Sequence, residues 1–69
     1  MNKKKLQIKL KRLRNAQNLT REEVAKKMEL TPSAIRNYEL GLRVPSLENV
    51  EKLAKIYKCN PAYILGWIK

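Results

Sequence analysis

The chain has 69 residues, no histidine and a single cysteine, Cys59. One thiol without imidazole cannot build a zinc centre, and no internal disulfide can form. A lone cysteine fits a reducing, intracellular setting, and Cys59 reads as a small apolar packing residue. No apolar run approaches the roughly 20 residues of a membrane-spanning helix. The start, MNKKK, is positive, but polar and charged residues break up the stretch after it, so it is not a secretory h-region. There is no glycine-rich phosphate loop, and nothing groups the Lys and Glu side chains into an acid–base site. These absences argue against an enzyme and leave no cofactor, metal or small-molecule substrate implied. Acids are also scarce: 6 Asp plus Glu stand against 16 Lys plus Arg, a net charge of +10.

The charge is unevenly placed. Residues 1–21 carry Lys3, Lys4, Lys5, Lys9, Lys11, Arg12, Arg14 and Arg21, and no acid. A basic excess this local suits a polyanion, either nucleic acid or an anionic membrane surface; the alternative is a solvated, solubilising face. The membrane reading is the weaker, because the leucines of that stretch are needed for the core. At this length there is room for one domain with a small core, which calls for well-packed helices.

Helical spacing dominates. Leu6, Leu10 and Leu13 form one stripe of a first helix over about residues 4–17. Thr20 and Glu23 make a capping box that starts a second helix, ending near Met28. Thr31 caps a third helix with Pro32 in its first position, and Gly41 suits a left-handed C-cap. Leu42 to Pro45 reads as a loop. Ser46 opens a fourth helix whose expected buried face is Leu47, Val50, Leu53, Ala54 and Tyr57. Asn60-Pro61 announces a short fifth helix over Ala62 to Leu65. No repeat, low-complexity tract or useful β-type alternation occurs, so the chain is all-α. The second and third helices flank a short break, with Ala25 where they must approach closely and Val24, Met28, Leu30, Ile35 and Tyr38 at the seam. That is the pattern of a helix-turn-helix.

On these residues the chain resembles the Cro/repressor-type helix-turn-helix family of phages and bacteria. The stretches LKRLRNAQNLTREEVAKKM, TPSAIRNYELG and PSLENVEKLAKIY carry the likeness over residues 6–65. The resemblance implies a compact five-helix bundle of the lambda repressor-like type over 6–69, preceded by a basic arm over 1–5. It also implies operator DNA as partner, commonly bound by a homodimer, and a transcription regulator, most simply a repressor, working in the cytoplasm. An antitoxin-like or antirepressor-binding protein-interaction module is the competing function. Many family members continue into a second domain, so whether these residues are a complete regulator or a fragment stays open. One departure stands out. The family often has glycine at the first turn position, where this chain has Glu29, at a penalty on the order of 1 kcal/mol.

At about 100° per residue, Ile35, Tyr38 and Ala34 face the core, and Pro32, Ser33, Arg36 and Asn37 share the opposite face with Leu40. Arg can donate two hydrogen bonds to guanine, Asn can bond adenine, and Ser can donate or accept. Ser33 and Asn37 match base-contacting positions of the family. Pro32 departs from them and can offer only an apolar contact. The alternative is an ordinary exposed helix face. Arg21, Thr31, Arg43, Ser46 and Asn49 are phosphate candidates, with Lys3, Lys4 and Lys5 as a mobile arm or simply solvated. Arg14 and Glu39 match residues that pair in some family members; the alternative is two independent charges. Tyr63, Ile64, Trp67 and Ile68 are too apolar for a free end and serve either the core or a dimer patch.

Overall fold

The computed structural model describes residues 3–67, with side chains from residue 4 onward, as five helices in the order α1 (Lys3–Ala16), α2 (Arg21–Met28), α3 (Pro32–Leu40), α4 (Leu47–Ile56) and α5 (Pro61–Leu65). The described residues form an all-α bundle in which α2 and α3 flank a short turn. The expected contacts of the Lys3 side chain and of Ile68 lie outside the described residues. No described helix is long and apolar enough to cross a membrane.

Each helix start after α1 rests on a short polar side chain. The Thr20 hydroxyl accepts from the Glu23 amide at 3.1 Å, and the Glu23 carboxylate accepts from the Thr20 amide at 2.9 Å. Thr31, Ser46 and Asn60 cap α3, α4 and α5 through the amides of Ala34, Asn49 and Ala62. The hydrogen bonds from the Thr20 backbone and hydroxyl hold the Glu23 carboxyl below its ordinary value. A lowered folded value means that this contribution is complete above the unfolded carboxyl's range, near 4.5, and is lost as pH falls through the folded value. Denaturation series at successive pH values should therefore show Glu23→Gln flattening the acid limb of the stability curve, with the difference from wild type largest above that range.

The helix ends use left-handed residues. Gly41 and Gly66 take φ of 76° and 81°, but Asn18, Glu29 and Lys58 adopt the same region at 56°, 57° and 57° without being glycine. At Glu29 the turn folds back so that its amide faces the carbonyls of Ala25 and Lys26. The strain anticipated there is thus present, and Glu29→Gly should raise stability by about 1 kcal/mol. A melting curve should rise by roughly 4–8 °C.

The core lies where all five helices meet. Leu6 and Leu10 come from α1, and Val24, Ala25 and Met28 from α2. Ile35 comes from α3, Val50, Leu53 and Ala54 from α4, and Ile64 from α5, with Tyr57 closing the cluster. Leu13, Leu19, Leu30, Tyr38, Ile56, Cys59 and Leu65 pack around it. Burial raises both the Tyr57 phenol and the Cys59 thiol above their ordinary values, so Cys59 is an inert thiol at the core's edge.

Three expectations are corrected. Ile64, assigned to a dimer patch, is 1% exposed and belongs to the core, because α5 turns that face inward. Leu47, assigned to the core, is 57% exposed, because it opens α4 before the helix has reached the bundle. The basic arm over 1–5 is helix from Lys3 onward, since α1 runs back through Lys4 and Lys5.

Candidate nucleic-acid interface

The third helix presents a polar face to solvent. Pro32, Ser33 and Arg36 are exposed and Asn37 is half-buried, while Ile35 on the other side is buried. Among the described residues the side chains of Ser33, Arg36 and Asn37 make no hydrogen bond within the protein, so their donors and acceptors are available to a ligand. Thr31, Ser33, Asn37 and Arg43 line one concavity of about 350 Å³ together with Leu30, Ala34 and Tyr38. Arg36 stands outside it. The tie that brings Arg43 there is the Asn37 carbonyl, which accepts from the amides of Leu42 at 2.9 Å and Arg43 at 3.3 Å.

Behind that face sits a charge that composition alone would not place. Glu39 is on α3 with its side chain 1% exposed. Arg14 grips it with two donors, Nε to Oε2 at 2.6 Å and Nη2 to Oε1 at 3.0 Å, and its third bond runs from Nη1 to the Leu19 carbonyl at 2.9 Å. Arg21 adds a bond from Nε to Oε1 at 3.2 Å. Glu39 thus ties α3 to the last turn of α1 and the first of α2. The hydrogen bond with Glu39 raises the Arg14 guanidinium above its ordinary value against the opposing effect of burial, so Arg14 stays cationic over any working pH. The geometry makes Arg14 and Glu39 a structural pair. It also draws in Arg21, a phosphate ligand by sequence, whose Nε is committed to Glu39. No spacing in the sequence marks that third partner.

Two hydroxyls combine capping with outward chemistry. Thr31 and Ser46 accept an amide hydrogen each and retain their own O–H to donate. At the start of α4 the Asn49 amide is taken by Ser46, and the first-turn amides of Leu47 and Glu48 have no intrahelical carbonyl to meet. The Asn49 side chain is committed otherwise than expected: its Nδ2 donates to the Tyr38 hydroxyl at 3.1 Å, bracing α4 against α3. Glu48 puts a carboxylate on this first turn, with Lys52 3.7 Å away. Lys4 and Lys5 are exposed on α1. Of the expected dimer patch, Trp67 is 72% exposed, but Tyr63 is half-buried beneath Lys9. Among the described residues no His, Cys, Asp and Glu group could hold a metal ion.

Comparison with known proteins agrees with this architecture. The helix-turn-helix family model matches residues 10–64, from the middle of α1 to α5. A protein of Bacillus subtilis (strain 168), named as the uncharacterized HTH-type transcriptional regulator YobD, is 37% identical over 57 residues. The match covers 83% of this chain and 51% of that protein, so the chain spans about half the length of this relative. No solved structure matches. The braced helix pair, the outward polar face of α3 and the match over most of the chain together place this protein in the Cro/repressor-type helix-turn-helix family of DNA-binding transcription regulators.

Proposed function

We propose that this protein is a sequence-specific repressor that reads the major groove of its operator with α3. The outward face of that helix carries the reading. Ser33 and Arg36 point to solvent with no internal partner, while Glu39 fixes the helix from behind. Arg36 is placed to donate to guanine, Asn37 and Ser33 to bond a neighbouring base edge, and Pro32 to touch a thymine methyl. Arg43, the hydroxyls of Thr31 and Ser46, and the open amides of α4 hold flanking phosphates. Arg21 has a phosphate role only through the nitrogens that Glu39 leaves unused. No step in this reading asks for a catalytic group, so the protein acts by binding, on nucleoid DNA in the cytoplasm.

Two copies would occupy two-fold-related half-sites about 34 Å apart. Exposed Leu42 and Val44, on the connection from α3 to α4, and Leu47, at the start of α4, offer apolar surface beside the reading helix for that contact. In vitro selection from random duplexes at fixed salt tests both claims together. The expected product is an enriched motif with two-fold symmetry and half-site centres one helical turn apart. An enriched but asymmetric single half-site would remove the dimer, and no enrichment at all would remove the sequence reader in favour of a protein-interaction module.

A further inference from the structure

The first helix has a second working face. Lys5, Ile8, Lys9, Arg12, Leu13 and Ala16 line a groove of about 520 Å³ closed on one side by Tyr63 of α5. A smaller hollow of about 280 Å³ continues it past Lys5 and Lys9 to Leu65, Gly66 and Trp67. Its apolar side chains flank the cations: Ile8 is exposed on one edge, Leu13 is half-buried on the other, and Trp67 stands in the smaller hollow. Lys5, Lys9 and Arg12 lie between those edges, and no acid lines either hollow. Lys9 is built in firmly. Its Nζ donates to the Tyr63 carbonyl at 2.7 Å and lies 4.4 Å from the centre of the Tyr63 ring, which pins that ring as a wall.

This groove looks away from the DNA-reading helix. Gln7 and Arg14 mark the α3 side of α1. Arg14 holds Glu39, and Gln7 Oε1 fills the space where a side chain on Gly41 would begin. At about 100° per residue, Lys5, Lys9, Arg12 and Ala16 fall on the opposite side of α1. A ligand there leaves the face of Ser33 and Arg36 clear.

We propose that this groove docks an acidic amphipathic helix from a partner protein. From Lys5 to Ala16 it runs roughly 17 Å, about three helical turns. Apolar side chains at i, i+3 or i+4 and i+7 of the partner would cover Ile8, Leu13 and Trp67, with carboxylates against Lys5, Lys9 and Arg12. Two other occupants fit less well. A second copy docking through the same face would set these cations against their own kind in a chain of net charge +10. Nucleic acid would satisfy the cations and leave Ile8, Leu13 and Trp67 uncovered. The result is a protein–DNA–protein arrangement, in which the partner reaches the regulator while the operator is held.

Trp67 is the one tryptophan of the chain and lines the hollow that continues the groove, so its emission reports a ligand that spans both. The probe is a synthetic tryptophan-free peptide of about four turns, with Leu on one helical stripe and Glu elsewhere. Titration into the intact protein should give a saturable blue shift with micromolar affinity. Ile8→Glu and Arg12→Glu, both at exposed positions, should each weaken it by about tenfold or more. Their melting curves and their affinity for duplex DNA should stay within about twofold of wild type. A peptide of the same composition with its Leu residues spread round the helix should likewise bind about tenfold more weakly. Equal binding of the two peptides, or an unaltered titration of Ile8→Glu, would reduce the effect to attraction for any polyanion and overturn the proposal. So would a Trp67 shift that tracks protein concentration alone, which would make the occupant a second copy. These readouts need no operator and stand or fall apart from the DNA selection.

Discussion

Glu39→Ala should be the most destabilising removal of a single charge on α3, with a loss of about 3 kcal/mol. The side chain is 1% exposed and carries bonds from Arg14 and Arg21, whose side chains are 12% and 32% exposed. Removing the carboxylate leaves the Arg14 guanidinium confined beneath α3 with only the Leu19 carbonyl to bond. Arg21, nearer solvent, can rehydrate, which keeps the figure at the lower end for a broken buried pair. The melting temperature should fall by roughly 12–24 °C, because a domain of this size loses several degrees per kcal/mol. Arg14→Met with Glu39→Leu, which removes both charges and fills the space, should recover most of that loss. A melting temperature for Glu39→Ala within a few degrees of wild type would show that the three side chains do not act together. Glu39→Gln separates charge from shape, and should fall between the single and double changes.

Arg36→Ala should act on binding and leave the fold alone. Arg36 is exposed on α3 without an internal partner, so its loss removes no contact within the protein. A bidentate arginine–guanine contact discriminates by about 1–3 kcal/mol, so affinity for the selected operator should fall roughly 5- to 150-fold. The selected motif should also lose its preference at one base pair in each half-site. Arg43→Ala gives the contrast: weaker binding to every sequence alike, and a salt slope smaller by about one counterion. Fluorescence anisotropy on the operator and on a scrambled duplex, at several salt concentrations, separates the two. Equal losses on both duplexes for Arg36→Ala would make Arg36 another phosphate ligand.

The helices are open to sequence reasoning because their starts are written in local chemistry. Thr20, Thr31, Ser46 and Asn60 each accept a first-turn amide from a few residues away, Pro32 and Pro61 stand where no amide is needed, and no distant residue has to be known. The outward face of α3 comes from helical period alone. What escapes depends on contacts between separate helices. Leu47 has the right period for the core yet lies where α4 has not met the bundle, and Ile64 looks like tail but is covered by its neighbours. Arg21 and Asn49 look like an outward cation and an outward amide, whereas Glu39 and the Tyr38 hydroxyl, remote in sequence, engage them. Glu29 is legible as an awkward turn residue, because backbone handedness is a local property.

The brace of α3 is built from other residues than its outward face. Glu39, Arg14 and Arg21 set the pose of α3 from within, while Ser33 and Arg36 contribute almost nothing to holding the bundle together. Those two positions are free to drift, and on the proposed reading a lineage built on this scaffold can acquire new target sites one codon at a time without passing through unfolded ancestors. Divergence among descendants should concentrate there, and libraries randomised at these positions should yield chiefly folded proteins with altered addresses on the genome.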